Sequence, residues 1–254
     1  MKRLSIALFA ALFLFAASPA MAQQDETVVA SGGGPTASPK AWTAHLAFGF
    51  YKLRYIDSEF SGGESPASDV FGDKVRFMFQ LGMERFLYQG YGTVGLEAAL
   101  GYWQTYGKGL YVTGGQSADT TVFNLIPLKL SAVYRYVDTW EKYGVPLVPY
   151  AKLGLDYYIW WILNQNGDVA SYENADGGAS QGFGGTFGFH VSYGLQICLD
   201  FIDRKLANEF DQDFGVNNTY IYAEGTFAKV NDFWSGSSFD LSDHSFLAGL
   251  LFEF

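Results

Sequence analysis

Residues 183–199 read FGGTFGFHVSYGLQICL, and this stretch decides the fold. Its odd positions are Phe183, Gly185, Phe187, Phe189, Val191, Tyr193, Leu195, Ile197 and Leu199. Its even positions are Gly184, Thr186, Gly188, His190, Ser192, Gly194, Gln196 and Cys198. A period of two is the mark of a strand with unlike faces. One face is apolar and aromatic, the other small and polar. A soluble sandwich would hide the apolar face but turn the other to bulk water, where Lys and Glu are usual. Gly, Ser and Thr suit a crowded, narrow interior instead.

Seven further segments carry the same pattern. Residues 42–56 set Trp42, Ala44, Leu46, Phe48 and Phe50 on one face. Beyond them Lys52 and Arg54 oppose Tyr51, Leu53 and Tyr55, which predicts a bulge near Phe50. Residues 75–88 alternate Val75, Phe77, Phe79, Leu81 and Met83 against Arg76, Gln80, Gly82 and Glu84. Residues 92–103 alternate Val94, Leu96, Ala98, Leu100 and Tyr102 against Gly95, Glu97, Ala99 and Gly101. In 121–137, Lys129 and Arg135 oppose Leu128, Leu130, Tyr134 and Tyr136. In 148–162, Lys152, Gly154 and Asp156 oppose Leu153, Leu155, Tyr157 and Ile159. Residues 219–229 set Glu224 against Ile221, Ala223 and Phe227, and 245–254 set Gly249 and Glu253 against Ala248, Leu250, Phe252 and Phe254. Pro127 falls inside the fourth segment, where it removes a ladder bond; a bulge there is the expected remedy.

Bulk composition agrees with a chain that meets lipid through strands. Aromatics are 18% of residues, with 23 Phe and 17 Tyr, yet mean hydropathy is only +0.04. After the N-terminal run, no segment reaches the roughly 18 apolar residues of a membrane helix. Alternating faces explain both numbers, because outward apolar and inward polar residues average out. The expected fold is therefore all-β, an eight-stranded antiparallel up-and-down transmembrane barrel over residues 42–254. Loops 57–74, 104–120, 163–182 and 230–244 are long, and connections 89–91 and 138–147 shorter. That is the asymmetry of outer loops and periplasmic turns. An extra hairpin in 104–120 or 230–244 would make ten strands.

The sixth connection departs from the pattern. In DFIDRKLANEFDQDFG (200–215), Ile202, Leu206 and Phe210 recur at helical spacing, Asp200 is placed to cap and Gly215 to end a short periplasmic helix over about 200–214. The expected role is packing on the barrel rim, with a plug or partner site as the alternative. Its largely acidic polar face argues against an interfacial membrane helix.

The first 22 residues, MKRLSIALFAALFLFAASPAMA, have the charged, apolar, A-x-A layout of a cleaved secretory signal. Residues 23–41 lack periodicity and are Gly-, Ser- and Pro-rich, which predicts a flexible periplasmic tail. Net charge is −10, and the signal contributes only Lys2 and Arg3, so the remainder carries −12. Such a chain is a poor partner for nucleic acid. A lone Cys198 excludes an internal disulfide and a Cys-rich metal site.

The chain ends in LAGLLFEF, with Phe254 last. Gly249, Phe252 and Phe254 match the polar-x-Gly-x-x-apolar-x-aromatic strand read by the assembly machinery of bacterial outer membranes, whereas Leu247 stands where a polar residue is usual. With the signal, the eight alternating segments and the loop asymmetry, the chain resembles small outer-membrane barrels of the OmpA/OmpX-like class. Residues 215–230 and 241–254 are also similar to an outer-membrane barrel family described from myxobacteria. The resemblance implies outer-membrane localisation, no wide channel, a monomer, and contact with the bilayer, lipopolysaccharide and the assembly machinery.

An eight-stranded barrel is just wide enough for side chains to fill. Glu97, Lys129, Lys152, Asp156, His190 and Glu224 all point inward by parity. Glu97, Lys129 and Asp156 are expected to form an ion-pair layer, because charges in a dry lumen must be paired. Its expected role is structural; a gate in a narrow ion or small-solute pore is the alternative. The histidines lack ligand spacing, so neither a metal nor a cofactor is expected. Trp42, Tyr88, Tyr91, Tyr136, Trp160 and Trp161 lie near strand ends and suit lipid-interface girdles. A lipid acyl hydrolase or transferase is the remote alternative, since Asp240, Ser242, Asp243, His244 and Ser245 cluster at one strand end. Adjacent turn residues rarely converge, and no enzyme is expected. The first outer loop holds Asp57, Glu59, Glu64, Asp69 and Asp73, and the third Asp168, Glu173 and Asp176. These acidic loops are the expected surface for interaction, with divalent cations able to bridge them to lipopolysaccharide.

Overall fold

Eight long strands pair only with antiparallel neighbours and close on themselves. The computed structural model describes residues 40–56, 66–71, 74–111, 115–173, 179–235 and 238–254. The barrel is built from β1 (Trp42–Tyr51), β2 (Arg76–Gly90), β3 (Gly92–Tyr111), β4 (Gly115–Arg135), β5 (Leu147–Leu163), β8 (Phe183–Cys198), β9 (Asn218–Val230) and β10 (Asp243–Glu253). Going round, the order is β1-β10-β9-β8-β5-β4-β3-β2. Thus β1 stands opposite β5, β3 opposite β9, and β4 opposite β10. A two-stranded hairpin, β6 (Ser171–Glu173) and β7 (Ala179–Gln181), lies outside the barrel sheet. The remaining elements are α1 (Pro66–Phe71), α2 (Asp138–Glu141) and α3 (Arg204–Phe214). The signal and most of the tail lie outside the described residues, as do Asp57, Glu59, Glu64, Asp73 and Asp176.

Parity decides which way each side chain points. Phe48, Phe50, Phe77, Leu81, Leu153, Leu155 and Phe246 are exposed on the outside, and the alternate positions are buried. This is a soluble core turned inside out. β2 and β3 are joined through Tyr91, with Gly92 in the left-handed region that Gly tolerates. The opposite end carries the long connections, and the end with the chain termini is termed the periplasmic end, after the loop asymmetry of such barrels. Among the described residues of 104–120 no separate hairpin forms: 104–111 and 115–120 pair with each other and prolong β3 and β4.

Several expectations need correction. The pairing of β1 runs without shift to Tyr51, so no bulge lies near Phe50. Tyr51 and Leu53 stay inside; it is the chemistry of the inner face that changes there, where Tyr51 meets Trp103 and Tyr158. Pro127 produces no bulge either. Leu100↔Leu128 and Trp103↔Leu125 share one register, and the ladder simply lapses between them. Shifts occur instead at Phe86/Tyr88 in β2 and Lys108/Leu110 in β3. Lys40 and Ala41 do not belong to a flexible tail. Ala41 N donates to Phe254 O at 2.6 Å, and Lys40 Nζ reaches Glu141 at 2.6 Å and Glu253 at 3.1 Å.

Helix α3 begins at Arg204, later than expected. Asp203, not Asp200, is its N-cap, its side chain accepting from Lys205 N and Leu206 N. Gly215 ends it at φ 69°, the left-handed cap that Gly supplies.

Candidate functional site: the filled lumen

Three layers occupy the described lumen. At the periplasmic end, Arg135 on β4 meets Glu84 on β2 and lies 3.9 Å from Glu253 on the facing strand β10. Thr43 Oγ1 accepts from Arg135 at 3.1 Å, and Asn218 Nδ2 donates to Glu253 at 2.5 Å. Arg135 is 1% exposed.

One layer up, Lys152 Nζ on β5 sits 2.8 Å from Glu97 Oε2 on β3 and 2.8 Å from Glu224 Oε2 on β9. Those two strands face each other, so this single bridge crosses the barrel. Tyr150 OH and Thr226 Oγ1 donate to Glu224 at 3.0 and 3.1 Å, and His45 Nδ1 lies 3.7 Å from Glu97. Glu84 and Glu97 are direct cross-strand partners, a repulsive pairing in isolation. Each is drawn to a different cation, Arg135 or Lys152. Beside this layer, Asp156 Oδ1 lies 2.9 Å from His190 Nδ1, and His190 Nε2 lies 3.0 Å from Ser131 Oγ. Gly154 makes room for it: a Cβ there would meet both His190 Cε1 and the Leu130 carbonyl oxygen.

Above the charges the lumen turns aromatic. Tyr51 on β1 and Tyr158 on the opposite strand β5 approach to 6.5 Å between ring centroids. Trp103 packs edge-on to Tyr51 at 5.1 Å, and Phe71 of α1 edge-on to Phe123 at 5.4 Å. Tyr51 OH donates to Leu241 O at 2.6 Å, so the plug is also pinned by hydrogen bonding. At the outer rim Arg54 meets Asp243 at 2.8 Å and Lys229 meets Asp240 at 2.7 Å.

Glu97, Lys129, Lys152, Asp156, His190 and Glu224 are all buried on the inner face. They do not make the trio drawn from sequence. Lys129 lies opposite Asp156 in register, but Glu97 joins Lys152 and Glu224 rather than Lys129. Barrel strands are tilted, so residues level by counting are not level in space. The sequence reading left Glu84, Arg135, Glu253 and His45 out of the charge layer, although all four stand on the inward parity of their strands. Ser131 joins through a position with no signal beyond that parity.

His244 does not assemble a nucleophile. It points outward, edge-on to Phe227 at 4.5 Å, while Asp243 and Ser245 are buried on the other face. Ser131, His190 and Asp156 do have the spacing of a nucleophile, base and orienting acid. Ser131 is 1% exposed, however, so its hydroxyl is sealed within the layer.

Among the aromatics, Trp160 is turned inward and packs on Phe123 and Phe239 at 6.1 and 4.6 Å. It is core, not girdle, because it shares the parity of Tyr158 and Asp156. Tyr88 and Tyr91 are exposed, and Trp42, Tyr136 and Trp161 half-buried. Trp42 lies under the Arg85 guanidinium at 5.1 Å. Gly249 lies where a Cβ would overlap the Leu46 carbonyl oxygen, so seam packing alone demands Gly. Phe254 closes that seam, its N–H donating to Trp42 O at 2.8 Å and its carbonyl accepting from Trp42 N at 2.9 Å.

A closed barrel with an apolar exterior and a polar, partly charged interior has its hydrophobic band where a bilayer needs it. The protein has the build of an integral membrane β-barrel. No protein-family model and no curated protein sequence matches the chain. Solved outer-membrane proteins resemble it. Neisserial surface protein A is 15% identical, with 84% of this chain and 97% of that chain covered and a TM-score of 0.45. The outer membrane protein OprG from Pseudomonas aeruginosa is 13% identical, with coverages of 86% and 97% and a TM-score of 0.44. The attachment invasion locus protein of Yersinia pestis, solved with the heparin analogue sucrose octasulfate, is 12% identical, with coverages of 85% and 97% and a TM-score of 0.39.

Proposed function

We propose that the protein is a non-conducting barrel whose lumen is its core and whose outer end is its working surface. The observation that carries this reading is the Glu97–Lys152–Glu224 bridge. A permeant ion would have to break it, and then displace the Tyr51–Tyr158 contact above it. Removing one partner of a buried pair costs about 3–5 kcal/mol, which fits a structural layer better than a gate.

In this reading residues 1–22 are the export signal, and Gly249, Phe252 and Phe254 belong to the strand read during assembly. Trp42, Tyr88, Tyr91 and Tyr136 anchor the periplasmic interface, and Trp161 the outer one. The surface role falls to the outer loops and their acidic residues, facing lipopolysaccharide and partners beyond the cell. One described feature supports display at that end. Asp232, Phe233 and Trp234 hold three consecutive positive φ angles, of 50°, 54° and 69°, with Phe233 and Trp234 exposed. Non-Gly residues in that region are strained and persist where the surroundings enforce them.

Single-channel recording in a planar bilayer tests the reading, on protein whose folding is verified by heat-shifted gel mobility. Silence is the expected result. Steady openings altered by Glu97→Gln or Lys152→Gln would overturn it in favour of a gated pore.

A further inference from the structure

Helix α3 lies against the outside of the barrel and leaves a groove of about 320 Å³. Its floor is Leu199, Thr219 and Phe252, and its wall is Ile202, Leu206 and Phe210. Thr219 and Phe252 are cross-strand partners, and Leu199 N donates to Thr219 O at 2.8 Å. The three floor residues therefore stand side by side on the outward faces of β8, β9 and β10. The next outward pair on β9 and β10, Ile221 and Leu250, belongs to the exposed apolar band. The groove is thus a direct continuation of the surface that meets acyl chains.

The helix matches that placement. Leu206 and Phe210 are four residues apart and so share a face of α3, and Ile202, just ahead of the Asp203 cap, lines the same groove. Ile202 is 69% exposed and Leu206 52%, and Phe214 extends the row. In water this would be a run of large apolar side chains with no cover. The charged groups lining the groove are the carboxylates of Asp200 and Asp203. Asp203 caps the helix, and Asp200 Oδ1 accepts from Thr219 N at 3.1 Å. The segment 203–214 carries Asp203, Glu209, Asp211 and Asp213 against Arg204 and Lys205. Its field repels an anionic headgroup and attracts an ammonium.

We propose that the groove holds an acyl chain of a zwitterionic, ammonium-headed phospholipid of the periplasmic leaflet, with α3 lying in the plane of that interface. The acidic polar face, which in sequence argued against an interfacial helix, instead selects the lipid. This site is independent of whether the lumen conducts.

The test is native mass spectrometry of the refolded protein released from vesicles of phosphatidylethanolamine and phosphatidylglycerol in equal parts. One retained phosphatidylethanolamine per barrel is expected, at least about fivefold over phosphatidylglycerol. Ala207→Trp, which fills the groove, and Leu206→Glu, which charges its wall, should each lower retention at least tenfold while the heat-shifted gel band is unchanged. Leu206 is more than half exposed, so its replacement leaves the barrel interior intact. Absence of a retained lipid, equal or greater retention of phosphatidylglycerol, or variants that retain lipid as the parent does would each overturn the proposal.

Discussion

Replacing Lys152 by Met tests whether the lumen is dry and filled. Lys152 Nζ touches Glu97 and Glu224 at 2.8 Å each, and all three side chains are nearly sealed from solvent. The two carboxylate oxygens share one nitrogen, so they lie at most twice that distance apart. Each contact is worth about 6 kcal/mol of gross attraction at an effective dielectric near 20, most of it offset by desolvation. Without the ammonium, two like charges remain in the same layer with a repulsion of about 3 kcal/mol at that dielectric. The net loss expected for breaking a buried pair is about 3–5 kcal/mol. At a slope of about 2 kcal/mol per molar urea, the unfolding midpoint in phospholipid vesicles should fall by about 2 M.

The assay is reversible urea unfolding followed by tryptophan fluorescence, with gel mobility as a check on closure. A second variant separates electrostatics from packing. Lys152→Met with Glu97→Leu leaves Glu224 its hydrogen bonds from Tyr150 and Thr226, and should recover about half of the loss. In a water-filled lumen the same charges would be screened and worth about 0–1 kcal/mol. A loss below about 1 kcal/mol for the single variant would refute the dry-lumen reasoning and the function built on it.

Three further outcomes are expected. Gly249→Ala should fail to give the heat-shifted folded band, because its Cβ would overlap the Leu46 carbonyl at the seam; a normally folded variant would show that the seam has slack. Tyr51→Phe should cost about 1–3 kcal/mol in the same urea assay, since it strands the buried Leu241 carbonyl; an unchanged midpoint would mean that water reaches the plug. Burial pulls the Lys40 ammonium down, but Glu253 and Glu141 outweigh it and hold it above its ordinary 10.5. A raised folded value means that its contribution is complete below pH 10.5 and is lost as pH rises through the folded value. The melting-temperature gap between wild type and Lys40→Gln should therefore be constant near neutrality and close in strong alkali; a gap that persists there would refute the ion pairing.

Parity made the barrel legible because each outward residue meets lipid and each inward residue meets the lumen, a rule enforced at every step. It made Glu97, Lys152 and Glu224 legible as interior for the same reason. It could not say that Lys152 joins the other two, since that depends on strand tilt and shear, which no single strand encodes. Trp160 was misplaced because nearness to a strand end was allowed to outweigh its parity with Tyr158. The bulge near Phe50 was inferred from a change of chemistry that parity alone would have read correctly. Helix α1 is a six-residue helix in a Gly- and Ser-rich loop, too short to leave a period. The end of β3 was cut short because Gly107 and Gly109 erase the alternation there.

The order of the layers bears on how the chain could ever conduct. Charges fill the periplasmic part of the lumen and aromatic rings the outer part, each layer linking strands that face each other across the barrel. Moving the Lys152 side chain would open only the lower layer, because Tyr51 packs on both Tyr158 and Trp103 and is held by its own hydrogen bond to Leu241 O. Moving the plug would require α1 to lift, since Phe71 rests on Phe123 and the Val70 carbonyl fills the space beside Gly107. A pathway thus needs two rearrangements at once, one of the charge layer and one of the packed rings. That joint requirement, rather than the strength of either layer, is the physical argument for a closed barrel.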